Sequence, residues 1–350
     1  MNKRILFFIV ALIFILACNA PSGSPTAPSG LLATLAASTP LQGGSVDPAS
    51  GTPTSAFNFA TPASTLVVPT SSQTNQPTGK IAFTCQVYKV QASNQICIIN
   101  ADGSGYRRLT TDGTRQHYYP SISPDGQSVV YAAFREANVY EIYEMNIGTG
   151  EVRQLTNRLG IVNGPEISPD GGSIAFKNTT VNSNRNLIIL MDRNGDNVNN
   201  IPGITGWDPT WSPDGKYILF ASNMDGTVQL YTIRKNGNEL RKISNLPAIR
   251  GRSDWSIDGQ YIVTYSGEPW NREVYIMNAD GSNARVLSPP GGNSQGPSIS
   301  PDGQWVAFTS YFDHYGDDHG CEIYIMRIDG TDLRRLTDND YCDYQPRWGP

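Results

Sequence analysis

The sequence predicts an all-β fold, a six-bladed β-propeller closed by pairing a C-terminal inner strand with the N-terminal blade. Three observations carry this. Ser-Pro-Asp-Gly occurs at Ser123, Ser168, Ser212 and Ser300, with Ser-Ile-Asp-Gly at Ser256, so the first residues step by 45, 44, 44 and 44. A period in the forties marks a ring or array built by copying one small unit. The apolar residues around each tetrapeptide alternate with period two, which argues strands and against helices.

Each copy reads in the same order. A proline-led run comes first, as in Pro120-Ser-Ile, Pro165-Glu-Ile, Pro209-Thr-Trp and Pro297-Ser-Ile, with Ser253-Asp-Trp in the fourth place along the chain. After the tetrapeptide come strands such as Tyr217-Ile-Leu-Phe-Ala-Ser and then Gln229-Leu-Tyr-Thr-Ile or Glu322-Ile-Tyr-Ile-Met. An Asp-Gly or Asn-Gly turn leads to a short basic strand ending Arg-Gln-Leu, Arg-Lys-Ile or Arg-Arg-Leu. Four short strands between Gly, Asn, Asp and Pro turns make one antiparallel blade. The last run, Pro346-Arg-Trp-Gly-Pro, stops where its next strand is due, and that strand stands at the other end as Gly79-Lys-Ile-Ala-Phe-Thr. Joining the two closes the ring and removes free sheet edges.

Pro209 to Gly215 and Ile323 to Thr337 show the unit most fully, as Pro-x-Trp-Ser-Pro-Asp-Gly-Lys and Ile-Tyr…Asp-Gly…Arg-Arg-Leu-Thr. This unit resembles the propeller repeat of the TolB-type, WD-like family. The resemblance covers the propeller alone, without that family's N-terminal α/β domain. It implies a recognition or scaffold role among envelope components.

The N-terminus predicts export and anchoring. Lys3 and Arg4 precede the apolar run Ile5 to Leu16, which is short for a bilayer span and suits a signal peptide over 1–17. It ends Leu16-Ala17-Cys18, which resembles a bacterial lipobox, so Cys18 is the expected lipidation site. Residues 18–78 then form the lipidated cysteine and a tether. From Asn19 to Thr78 the composition is Ser, Thr, Pro, Ala and Gly, with Asp47 as the only ionisable side chain. Such a segment cannot bury enough apolar surface to fold alone. As a coil it spans on the order of 40 Å. The propeller takes 79–350.

Four cysteines remain, which permits three pairings. Cys85 and Cys97 lie on neighbouring strands of one hairpin. Cys321 ends a second-to-third-strand loop and Cys342 lies in the next connection between blades, on the same face. The expected bridges are Cys85–Cys97 and Cys321–Cys342, as suits an oxidising compartment; free buried thiols are the alternative. The net charge of −5 and the lack of a basic stripe argue against nucleic acid.

Chemistry is searched where copies diverge. The recurrent Asp125, Asp170, Asp214, Asp258 and Asp302 suit turn-holding roles. Asp192-Arg-Asn-Gly-Asp196 lacks a glutamate at its twelfth position, where Gly203 stands, and reads as a turn. Gly292-Asn-Ser294-Gln-Gly296 matches a hydrolase string, but that string works only on a strand-to-helix elbow. The loops opposite the repeat turns carry all three histidines and most of the divergent aromatics. The expected ligand-binding face comprises Tyr118, Tyr119, Trp207, Asp208, Arg252, Trp270, Tyr311, Tyr315 and Tyr344. No motif assigns a cofactor; candidate ligands for a divalent metal are His314, Asp317 and His319. The functional expectation is a membrane-anchored extracytoplasmic module, monomeric, touching the membrane through its lipid alone. It binds an envelope protein, peptide or glycan. The alternative is a metal-dependent polysaccharide lyase or hydrolase using the His/Asp loop. No nucleophile–base pair can be assembled, which disfavours an enzyme.

Overall fold

The computed structural model describes residues 76–350 apart from 88–92, 137–138, 181–184, 314–315 and 317–319. All of these lie in the second of two compact units, Leu66–Pro350. The signal segment, Cys18 and most of the tether therefore lie outside the described residues, as do His314, Tyr315, Asp317 and His319.

The described residues form 24 strands and no helix, in an all-β propeller fold. Four sheets have four strands each and one has eight. In every four-stranded set the inner strand carries the proline-led run, with Ser253 in place of the proline in Ile249–Trp255, and the outermost strand is two or three residues long. The eight-stranded sheet differs from the expectation of separate blades. A single parallel bridge, Tyr140 to Ile161, joins its halves 117–154 and 161–200, because the inner strand Ile161–Ile167 starts beside strand Val139–Asn146. Each half keeps its own four-stranded antiparallel order.

Closure follows the sequence expectation. Strand Asp343–Gly349 pairs antiparallel with Lys80–Gln86, matching Lys80 to Gly349 and Ile81 to Trp348. The cores lie between neighbouring sets. Ile81, Phe83 and Ile99 pack on Trp305, Ile323 and Ile325, joining the last set to the first. Phe83, Phe176, Phe220 and Phe308 occupy the same place in their own second strands and are fully buried. Truncating such a ring to alanine costs about 3–5 kcal/mol. Edges are blunted by brevity and charge: Arg107–Arg108, Arg241–Lys242 and Arg334–Arg335 are outermost strands.

The repeat motif holds its own turn. In all five copies the Asp Oδ1 accepts the Ser hydroxyl at 2.5–2.7 Å and a backbone N–H two residues on at 3.0–3.1 Å. The same Ser oxygen accepts the N–H that opens the next strand at 2.8–2.9 Å. The Ser123 hydroxyl and the Gln127 N–H hold Asp125 below the usual carboxylate range. A second relay repeats on the opposite face, fifteen residues apart. Thr110, Thr156, Ser244 and Thr337 donate to Gln95, Glu141, Gln229 and Glu322 at 2.5–2.7 Å.

Two faces result. The turn face carries the Ser-Pro-Asp-Gly and Asp-Gly turns. The loop face carries the second-to-third-strand loops and the connections between sets. Both predicted disulfides, Cys85–Cys97 and Cys321–Cys342, are formed.

Candidate functional site

The inner strands of the sets are interrupted at the same place near the loop face. The register of His117–Ile122 shifts between Tyr118 and Ser121, that of Trp207–Trp211 between Trp207 and Thr210, and that of Gln295–Ile299 between Gln295 and Ser298. At these bulges Tyr119, Gly164, Asp208, Gly296 and Gln345 take left-handed φ values of 50–61°. Three of the five are not glycine, which L side chains adopt only at a cost of about 1–2 kcal/mol each. Such strain concentrates at functional sites and persists only where surroundings enforce it.

Here the enforcing contacts cross the ring. The Tyr119 N–H donates to Gln345 Oε1 at 3.0 Å, and Thr84 Oγ1 donates to the same oxygen at 2.9 Å. Asp208 Oδ2 accepts the Arg252 N–H at 3.0 Å. The Arg252 side chain reaches the carbonyls of Pro120 at 3.2 Å and Gln345 at 3.4 Å, on the far side of the axis. Its guanidinium also lies 5.6 Å from the centre of the Tyr119 ring. Burial lowers Arg252 to about 10 and raises the Tyr119 hydroxyl above its ordinary range. Gly251, with φ +126°, lets the strand pass: a Cβ there would collide with Asp208 and lie 2.9 Å from Trp207 Nε1. Trp207 is pinned in turn by its indole N–H to Arg250 O at 3.2 Å.

Other predicted face residues divide. Tyr118 and Tyr344 meet through Asn94, which donates to Tyr118 Oη at 3.0 Å and accepts from the Tyr344 hydroxyl at 2.8 Å. Trp270 and Tyr311 stack edge-on at 5.0 Å and pack, with Tyr344, around Cys321 and Cys342. This group serves loop packing. Of the histidines, His117 opens an inner strand, 5% exposed, against Tyr131, and burial lowers it to about 4. Asp313, at the described start of the histidine loop, accepts from Arg335 at 2.6 Å and from the Tyr324 hydroxyl.

Two motifs resolve as structure. Ser294 is fully buried, 3.1 Å from Ser310 Oγ, and runs into strand Gln295–Ile299 where an elbow would need a helix. Asp192 to Asp196 is a hairpin turn, closed by the Asp192 N–H to Asp196 O at 2.9 Å.

Sequence reasoning missed the other end of the axis. Two residues beyond Asp208-type positions stand Glu166, Asp254 and Arg347. Arg347 donates to Glu166 Oε2 at 2.9 Å and meets Asp254 Oδ2 at 3.3 Å, linking three inner strands. Burial raises Glu166 and Arg347 lowers it, with a net rise. Beneath them a cavity of about 260 Å³ opens on the turn face. The recurrence of proline after four of the five repeat serines was its visible signal.

Strand order and ring closure define a β-propeller. Residues 72–317 match the TolB beta propeller domain family, and the chain belongs to it. It is 31% identical over 136 residues to an uncharacterised protein, Atu1656, of Agrobacterium fabrum, covering 38% of this chain and 45% of that one. It is 36% identical over 73 residues to the Tol-Pal system protein TolB of Francisella tularensis, covering 21% and 17%. The chain thus spans less than half the length of these relatives. In fold it resembles TolB from Acinetobacter baumannii, with TM-score 0.68, 24% identity and coverage of 78% and 67%. A putative TolB from Agrobacterium tumefaciens matches at TM-score 0.59 and 19% identity, covering 78% and 99%. At these identities the likeness shows the fold alone.

Proposed function

We propose that this chain is an extracytoplasmic recognition or scaffold module, lipidated at Cys18 and binding an envelope protein, peptide or glycan at its loop-face mouth. In this reading 1–17 is the signal, 18–78 the tether and 79–350 a six-bladed propeller, each half of the eight-stranded sheet being one blade. The observation that carries it is the ring at Tyr119, Asp208, Arg252 and Gln345, where strained backbone and cross-axis bonds preorganise aromatic and charged groups. The two disulfides support an oxidising compartment. The chain enters its first strand at Lys80 on the turn face, with Thr78 O bound by Trp348 Nε1 at 2.8 Å, so a tether leaves the loop face free.

Two measurements test this. Fatty-acid labelling in a bacterial host should be lost on Cys18→Ser. Purified full chain should retain a defined envelope component, and Trp207→Ala with Arg252→Gln should abolish retention while the protein stays folded. Retention unchanged in both variants, or turnover of a polysaccharide with added divalent metal, overturns the reading.

A further inference from the structure

On the face away from that recognition surface, we propose that the turn-face cavity receives the side chain of a lysine presented by a partner protein. Its size sets the first limit. At about 260 Å³ it falls below the range of drug-sized ligand pockets, about 300–1,000 Å³, and suits one long side chain.

The wall sets the second. Trp211, Trp255 and Trp348 line it with Ile122, Ile167 and Ile299. Its rim is a collar of Pro124, Pro169, Pro213, Ile257, Pro301 and Pro350, in which Ile257 is 61% exposed. A methylene stem covers such a wall well, and indole faces favour a cation over an anion.

The floor decides the charge. Glu166 and Asp254 share one guanidinium, Arg347, whose side chain is only 6% exposed. Asp254 is saturated: Oδ1 accepts the Trp255 N–H, and Oδ2 accepts Ser298 Oγ, the Ile299 N–H and Arg347. Glu166 gives Oε2 to Arg347, and its Oε1 has no protein donor among the described residues. A cavity-lining carboxylate with one oxygen unengaged, where two lining carboxylates share one lining guanidinium, calls for a compact donor-only cation. An ammonium supplies that, whereas a guanidinium fork needs two oxygens. The groups acting on Glu166 are Arg347, Asp254 and Arg252; burial shifts its titration upward, so ammonium binding should strengthen as pH rises through it.

The test is titration of the full chain with Nα-acetyl-lysine N-methylamide, following indole N–H resonances by NMR. Saturable shifts are expected, with the norleucine counterpart at least about tenfold weaker, the worth of one charge-assisted hydrogen bond. Glu166→Gln should erase that difference, and Ile257→Ser, at the exposed rim, should weaken the lysine amide a few-fold. Equal binding of lysine and norleucine amides, or an unaltered ratio in folded Glu166→Gln, overturns the proposal. n-Butylamine binding as tightly as the lysine amide overturns the assignment to a partner's side chain. Should Glu166→Gln not fold, the lysine-to-norleucine ratio and Ile257→Ser decide. Neither Trp207 nor Arg252 lines this cavity, so failure of loop-face recognition leaves this outcome separate.

Discussion

The two ends of the axis are built from the same inner strands, two residues apart, yet they differ in kind. At the loop end the strands supply Tyr119, Gly164, Asp208, Gly296 and Gln345 in left-handed bulges, crossed by the Arg252 side chain. At the turn end they supply Glu166, Thr210, Asp254 and Arg347, in regular pairing above an apolar cavity. The first end holds strained backbone; the second holds a buried ion triad of two carboxylates and one guanidinium, over a cavity lined by three indoles. A repeated frame makes both rings, and departures from the repeat at single positions give each ring its chemistry.

The sharpest way to break the comparison is Arg347→Met. It leaves Glu166 and Asp254 uncompensated in a buried place, and removing one partner of such a group costs about 3–5 kcal/mol. Urea unfolding should show it; a loss below 1 kcal/mol would mean the triad does not bind the strands together. Arg252→Met comes next, at about 2 kcal/mol, since it forfeits charge-assisted bonds to Pro120 and Gln345 carbonyls. Its larger consequence should be loss of loop-face binding, with lysine amide binding at the turn end retained.

Titration separates the ends further, because two shifted groups sit near the loop face. Burial and then Glu322 raise Asp343 from 3.8 to about 8. The folded protein therefore binds the extra proton, and stability falls as pH rises from about 4 to about 8. His117 runs the other way: burial lowers it from 6.5 to about 4, so stability falls as pH drops through that interval. Between pH 6.5 and 8 only the Asp343 slope of these two operates. Asp343→Asn should flatten stability there, and an unchanged slope would locate the titration elsewhere. The smallest effect is expected at the repeat itself: Asp302→Ala removes one turn acceptor, for about 1 kcal/mol in thermal unfolding, with the loop end unaltered.

Much of this was legible before folding. The period located every turn, and the stop at Pro346 with the start at Gly79 located the closing pair. The disulfides followed once strand order assigned each cysteine to a face. The loop-face mouth residues were also readable, since they precede the proline-led runs. The packing of Trp270, Tyr311 and Tyr344 on a disulfide was not, because a loop aromatic looks alike whether it faces solvent or a neighbour. Glu166 and Arg347 stand 181 residues apart, and nothing local to either marks the other. Gln95 with Thr110 is the opposite case: its fifteen-residue spacing recurs at Glu141 with Thr156 and was open to inspection.

What the sequence determined alone was whatever repeats: strand, turn and hydroxyl–carboxylate relay, each satisfied within a few residues by local backbone geometry. Only the tertiary structure decided what converges on the axis. Ring closure brings the carbonyls of Pro120, Gln345 and Pro346 within reach of the Arg252 side chain, and the charge balance there belongs to the assembled ring.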